Sequence, residues 1–323
     1  MPSLRGFRLL HSQRTNRNMS SSRVVTILGA TGHQGASAVH RILKDGTFTP
    51  RAITRDPTSP AASDLKKLGV EVVQGDMKDK ASLVKALRGS EALVAVTFAV
   101  FPPYSAENPS EETIGKIIID AAVEAGVKFI VFSSCPNLER LSGGKYKNIF
   151  LYDDKVKIEE YMKASGIPNA SLHLGSFVEN LWTQHALKQT DDGFTLTVPK
   201  HTQTSRQSLT WIGHDFGEAA LAVLKNYDDP LKDVSGKVFP VVTASITYPD
   251  FVAKISKALG KEVTFVSIPT TGNEAFDGMY AAQTEYDGFY TSTPVPNPEL
   301  VALGAKFATI EECIETEIKK RYV

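Results

Sequence analysis

Two cysteines in 323 residues, Cys135 and Cys313, are too few for a disulfide scaffold, and such usage fits a reducing compartment. The expected location is the cytoplasm, with the nucleus also open. Excess charge is missing as well. Thirty-six Lys and Arg balance 36 Asp and Glu, so nothing in the overall balance supports direct nucleic-acid binding. Long apolar runs are absent. The longest, roughly Ala92 to Phe101, falls far short of the ~20 residues that a membrane span requires. No repeat and no low-complexity linker breaks the chain. One region lacks acid locally: Arg5, Arg8, Arg14, Arg17 and Arg23 come with frequent serine and no Asp or Glu. That composition suits a mitochondrial presequence. The alternative is a disordered extension upstream of Met19, itself a candidate start. On either reading residues 1–22 stay outside the fold.

What is present is more telling. Val24-Val25-Thr26-Ile27-Leu28 runs into Gly29-Ala30-Thr31-Gly32-His33-Gln34-Gly35, a G-x-x-G-x-x-G loop, and helix-forming residues follow from Ala36 to Lys44. A strand, a glycine loop and a helix in this order form a dinucleotide pyrophosphate cradle. Gly29 permits the tight turn, Gly32 lets the backbone approach the phosphates, and Gly35 lets the helix pack near the strand. Free N–H groups and the positive end of the helix dipole then face the anion. His33 either contacts a phosphate or faces solvent.

Strand and helix patterns alternate through the first half. Strands are expected at Pro50–Thr54, Val70–Gln74, Ala92–Thr97, Val127–Ser133 and Ala170–Leu174. Helices are expected near Ala61–Leu68, Lys80–Leu87, Glu111–Ala125 and Tyr152–Ser165. Apolar strands alternating with helices imply a parallel sheet covered on both faces. The predicted class is therefore α/β, a Rossmann-type doubly wound parallel sheet over residues 23–175, with a smaller C-terminal α/β lobe over 176–323. In that lobe Asp191-Asp192-Gly193 separates an expected helix from the alternating run Phe194–Val198 and suggests a hairpin. Asp215–Leu224 and Asp250–Leu259 read as helices, and Val238–Val242 and Val263–Ile268 as strands. Thr309 with Glu312 resembles a capping box opening a last helix to Lys320. The cleft between the lobes is the expected ligand site.

The cofactor is predicted to be NADP(H). An acidic residue commonly holds the ribose 2′-hydroxyl of NAD about 20 residues past the glycines. Here Arg51-Ala52-Ile53-Thr54-Arg55-Asp56-Pro57 puts Arg55 at that place, with Asp56 beside it. A guanidinium matches a phosphate bidentately. The competing reading pairs Arg55 with Asp56 at the surface. Asp76 is positioned to accept from the adenine amino group, with Met77 packing beside the ring; a solvated turn is the alternative for Asp76. Thr97, Phe98 and Ala99 should pass under the ribose.

The G-A-T-G-H-Q-G loop, R-A-I-T-R-D-P, Q-G-D-M and Gly175-Ser176-Phe177-Val178-Glu179-Asn180 together resemble the NmrA-like proteins, atypical members of the short-chain dehydrogenase superfamily. The likeness covers roughly residues 23–320. It implies a preference for NADP, with Gly29–Gly35 on the pyrophosphate and Arg55 on the 2′-phosphate. It also implies Lys155 on the nicotinamide ribose and Phe177, Val178, Glu179 and Asn180 beside the nicotinamide. Some members of the family are reductases. Others resemble redox sensors that bind NADP and a regulatory protein.

The two functions need different chemistry. Short-chain dehydrogenases use Tyr-x-x-x-Lys with a serine, the lysine lowering the tyrosine pKa and orienting the ribose. Here Leu151 stands four residues before Lys155, so the dyad is absent at its usual spacing. Three readings stay open. Lys155 donates the proton or orients a water; Tyr152 or Tyr146 substitutes from a shifted position; or Lys155 only binds ribose. Ser133 and Ser134 follow the fifth strand, where the serine belongs, and a turn or capping role competes. For Tyr152 the competing role is packing, and for Lys155 a solvated helix face. Cys135 is either a redox switch or a buried filler. Trp182 and Trp211 either wall the cleft or pack in the core. His173, His185, His201 and His214 lack metal-ligand spacing, so no metal is assigned. The leading expectation is an oxidoreductase acting on a small organic substrate. The alternative is a sensor of NADPH/NADP acting on a protein partner. The expected state is a monomer or a homodimer.

Overall fold

The computed structural model describes residues 23–323, so the expectations for residues 1–22 lie outside the described residues. The first half runs β1 (Val24–Ile27), α1 (His33–Asp45), β2 (Thr49–Thr54), α2 (Pro60–Lys67), β3 (Glu71–Gln74), α3 (Lys80–Leu87), β4 (Ala92–Ala95), α4 (Glu111–Glu124), β5 (Phe129–Ser134), α5 (Leu138–Leu141), α6 (Phe150–Ala164) and β6 (Asn169–Leu174). The second half runs β7 (Ser176–Phe177), α7 (Asn180–Thr183), β8 (Leu187–Gln189), β9 (Gly193–Pro199), β10 (Arg206–Thr210), α8 (Gly217–Asn226), β11 (Val238–Val241) and β12 (Ala244–Thr247). It ends with α9 (Tyr248–Leu259), β13 (Glu262–Ile268), α10 (Glu274–Glu285), α11 (Pro298–Ala302), α12 (Ile310–Cys313) and α13 (Lys319–Tyr322). A π-helical turn, Ile212–Phe216, leads into α8, and a second, Ile314–Ile318, joins α12 to α13.

A seven-stranded sheet of order β11-β6-β5-β4-β1-β2-β3 forms the centre, every neighbouring pair parallel. This is the doubly wound α/β sheet predicted. Its strands are apolar because helices cover both faces. Every residue of β5, Phe-Ile-Val-Phe-Ser-Ser, is buried. Phe129 and Val131 face the core under α1 and α8, while Ile130 and Phe132 face the core under α3, α4 and α6. Burying each phenylalanine contributes roughly 1.5–3 kcal/mol. Local signals end the helices. Ser110 caps α4 by accepting from the Thr113 amide at 3.2 Å, and Thr309 with Glu312 forms the expected capping box.

Two findings in the second half differ from expectation. Residues 187–189, before the Asp191-Asp192-Gly193 turn, form a strand rather than a helix, pairing antiparallel with β9 in the expected hairpin. Tertiary pairing overrides local propensity there. Val238–Val241 is the outer strand of the central sheet, beside β6, and not part of the peripheral sheets. Phe239 and Val241 are buried in the sheet core with Leu300 of α11, while Val238 faces out. Such alternation marks an edge strand, where Pro240 is tolerated. Two three-stranded sheets, β12-β10-β7 and β13-β9-β8, sit beside a separate core built on α9 and the last helices.

Candidate functional site

Strand order reverses between β1 and β4, and a crevice opens there at the carboxyl ends of the strands. The glycine loop fills its floor. Gly29 adopts φ +69°, a left-handed conformation open to glycine. A Cβ on Gly35 would lie 2.2 Å from the Gly29 carbonyl oxygen, so only glycine lets α1 sit so close to the loop. The Gly32 amide closes the turn onto Gly29 at 2.9 Å. The first amides of α1, His33 to Gly35, have no partner within the helix. Thr31, Gly32 and His33 are exposed and Gln34 is half-buried, whereas Ala30 is buried in the sheet core.

The residues expected on the adenosine side lie at the next strand ends. Arg55 is exposed just past β2 and makes no ion pair among the described residues. Asp56 instead accepts from the Thr58 amide at 2.8 Å and from its hydroxyl at 2.5 Å, so the surface pair of Arg55 with Asp56 does not form. Asp76 is half-buried and accepts from the Lys78 amide at 3.0 Å, and Met77 packs on the sheet core. Thr97 is buried and Ala99 half-buried, but Phe98 is 54% exposed.

Lys155 points from α6 to the ends of β4 and α4. Its Nζ donates to Glu111 Oε1 at 2.6 Å and to Thr97 Oγ1 at 3.0 Å. Glu111 is 1% exposed, and its second oxygen has no partner. Lys155 is thus held by a buried carboxylate rather than solvated. Glu111 was missed in the sequence because a glutamate at a helix start reads as dipole compensation. Ser133 is 2% exposed, and its hydroxyl donates to Gln34 Oε1 at 2.5 Å, tying the glycine loop to β5. Ser134 is buried without a partner. Tyr152 is half-buried, its hydroxyl lies 3.2 Å from the Gln283 amide, and burial pushes its phenol up. Glu159, further along α6, anchors that helix to β6 through His173 at 2.8 Å. Burial raises its carboxyl, but the His173 and Lys163 contacts outweigh this and hold it at about 2.

These groups open onto one cleft of about 320 Å³. Gln34, Ser133, Lys155 and Tyr152 stand at one end, and Phe177, Val178 and Asn180 on the wall. The other end is an apolar chamber from β9, α9 and α10, including Leu196, Phe251, Phe276, Met279 and Tyr280. Helix α10 was not anticipated, although Asn273 caps it and acidic residues open it.

Other expected residues lie elsewhere. Glu179 is buried, and its two oxygens accept the Gly213 amide at 2.7 Å and the Ile212 amide at 3.2 Å. It caps the turn before α8 instead of lining the cleft, because those amides have no other acceptor at a helix start. Tyr146 donates to Glu285 at 2.7 Å, away from the cleft. Trp211 packs in the second-half core and stacks on His214, and Trp182 lies under the Arg321 guanidinium at 4.4 Å. Cys135 lines the cleft but is nearly covered, and burial pushes its thiol up.

A parallel sheet with a glycine loop at its switch point defines a Rossmann-type α/β protein. The profile of the NmrA-like family matches residues 21–322, and the chain belongs to that family. An NmrA-like family domain-containing oxidoreductase of Aspergillus versicolor, notA′, is 36% identical over 253 residues, covering 74% of this chain and 69% of the relative. NmrA, a negative transcriptional regulator solved in complex with NADP, superposes with a TM-score of 0.74 at 19% identity, over 93% of this chain and 97% of its own. The NADPH-dependent quinone oxidoreductase QOR2 of Escherichia coli, solved with NADPH, gives 0.66 at 22% identity, over 90% and 98%. No described helix is long and apolar enough to cross a membrane.

Proposed function

We propose that the protein is an NADP(H)-dependent oxidoreductase acting on a small, largely apolar substrate. The observation that carries this reading is the single cleft running from Gln34 and Lys155 into the chamber of Phe251, Phe276 and Met279. A sensor would need no apolar chamber beside the nucleotide. The residues fit the cofactor: the loop excludes a Cβ at Gly35, the first amides of α1 are free, and Arg55 has no competing carboxylate. The relative notA′ is named an oxidoreductase, and NmrA and QOR2 were solved with NADP and NADPH.

When bound, NADPH supplies a hydride. The chain supplies the rest. The amides of His33 to Gly35 would hold the pyrophosphate, Arg55 the 2′-phosphate, and Lys155 the nicotinamide ribose. Glu111 and Thr97 fix Lys155 by its ammonium, so it reaches the ribose without searching rotamers. The Ser133–Gln34 bond holds the loop against β5. The apolar wall excludes water from the reacting end.

The absence of Tyr-x-x-x-Lys, with Leu151 in the tyrosine's place, supports a second reading, a non-catalytic sensor of the NADPH/NADP ratio acting on a protein partner. Loss of NADPH absorbance with a panel of aldehydes, enones and imines separates the two. Turnover on any member is expected. Tight binding of both nucleotides without turnover across the panel would favour the sensor.

A further inference from the structure

Behind the apolar chamber lies a buried line of polar side chains with no role in the site described so far. His201 is 2% exposed, Gln207 1% and Gln283 5%. His201 Nδ1 lies 2.9 Å from the Pro199 carbonyl oxygen, and Nε2 lies 3.3 Å from the amide of Gln207. The Gln207 amide is 3.2 Å from that of Gln283, whose other end is 3.2 Å from the Tyr152 hydroxyl. Gln207 also meets the Ser176 hydroxyl. Tyr152, Ser176 and Gln283 line the cleft.

The two ends of a side-chain amide have the same shape, so donors and acceptors around it decide which end is oxygen. A backbone carbonyl can only accept. At 2.9 Å it requires the proton of His201 on Nδ1. Burial keeps the imidazole neutral, so Nε2 carries a lone pair. As placed, Gln207 turns Oε1 to His201 and Nε2 to Ser176 and Gln283, and Gln283 turns Nε2 to Tyr152. The His201 tautomer requires both amides reversed, with the Gln207 NH₂ toward His201. The Gln207 oxygen then accepts from Ser176 and from the NH₂ of Gln283. The Gln283 oxygen therefore faces Tyr152, which donates its hydroxyl proton to it. The reverse direction would set the Nδ1 lone pair against the Pro199 lone pairs, which is repulsive as well as unsatisfied. The direction chosen leaves one N–H of Gln207 and one of Gln283 unpaired within this line. The reverse leaves one N–H of Gln283 unpaired in addition to the lone-pair clash at 2.9 Å, which costs more than the extra N–H.

Resting on the reading of the cleft as the substrate site, we propose that the line His201–Gln207–Gln283 fixes Tyr152 as a hydrogen-bond acceptor toward the cleft. The cleft then selects a ligand with an N–H or O–H donor on an apolar body. Tyr152 is a specificity residue, and its proton is committed to Gln283 rather than to a substrate carbonyl.

Two readouts test this on the full chain with NADP⁺ present. Long-range proton–nitrogen NMR of histidine-labelled protein should find His201 protonated at Nδ1 alone. A proton on Nε2 overturns the proposal. Ligand-observed NMR with 2-naphthol and 2-methoxynaphthalene, which differ in one donor, should show naphthol binding about fivefold more tightly. Tyr152→Phe should erase that difference without lowering the melting temperature by more than a few degrees. Equal affinities in the unmodified protein, or a preference for the ether, overturn the proposal. A naphthol preference that persists where NADPH fails to bind would remove the cofactor reading and leave this inference standing.

Discussion

The two ends of the cleft are built by different means. At the end proposed for the nucleotide, strand ends of one parallel sheet deliver Gly29, Arg55, Thr97 and Ser133, and hydrogen bonds tie Thr97 to Lys155 and Ser133 to Gln34. At the chamber end, a hairpin and two helices from distant parts of the chain contribute apolar side chains. Helix α6 belongs to both, with Lys155 facing the buried Glu111 and Tyr152, less than one turn earlier, facing Gln283. The polar end is a frame repeated from strand to strand. The apolar end has no such repeat and is assembled from β9, α9 and α10. If so, substitutions at one end should leave the other intact.

Arg55→Asp should produce the largest split. NADPH binding should weaken about hundredfold, because a charge-assisted pair is replaced by like-charge repulsion, while NADH binding stays within about threefold. Calorimetry reads both, and an equal loss would remove Arg55 from the 2′-phosphate. Glu111→Ala should come next, at about 2–3 kcal/mol of stability in urea unfolding. This is discounted because Lys155 is partly exposed. Glu111→Gln, which keeps an acceptor for Lys155, should lose less; an equal loss would make the carboxylate's charge the whole effect.

The same helix gives a pH test. The Glu159 carboxyl falls from its ordinary 4.5 to about 2 in the fold. A depressed carboxylate contributes stability above its unfolded pKa and loses it as pH falls through the folded one. Stability should therefore decline between about pH 4.5 and 2, by roughly 2–3 kcal/mol. Glu159→Gln should flatten that slope, and an unchanged slope would assign the acid sensitivity elsewhere.

Phe276→Ala should weaken 2-methoxynaphthalene binding about threefold with no change for NADPH, since it removes only part of one chamber wall. A matching loss for NADPH would mean that the two ends are coupled. Cys135 should show the smallest effect. Its buried, proton-retaining thiol should react with iodoacetamide only upon unfolding, and fast native labelling would revive the redox-switch reading.

The same contrast explains what could be read from the sequence. Regular periodicity and the glycine loop announced the sheet, its helices and the placement of Arg55 past β2, because each signal is local. Features that depend on tertiary contact carry no local signal. Glu111 becomes a partner of Lys155 only when α4 and α6 pack together. Glu179 seemed part of a motif facing the cofactor, but the free amides before α8 claim it. Val238–Val241 joins the central sheet because Phe239 and Val241 find the core under α8 and α11. The line from His201 to Tyr152 joins residues 49 positions apart through two glutamines that carry no motif.

Calorimetric titration of NADPH and NADH into the full chain decides whether the glycine-loop crevice takes NADP(H). Saturable one-to-one binding of NADPH is expected, at least about tenfold tighter than NADH. Absence of NADPH binding, or a preference for NADH, would contradict the NADP(H) reading.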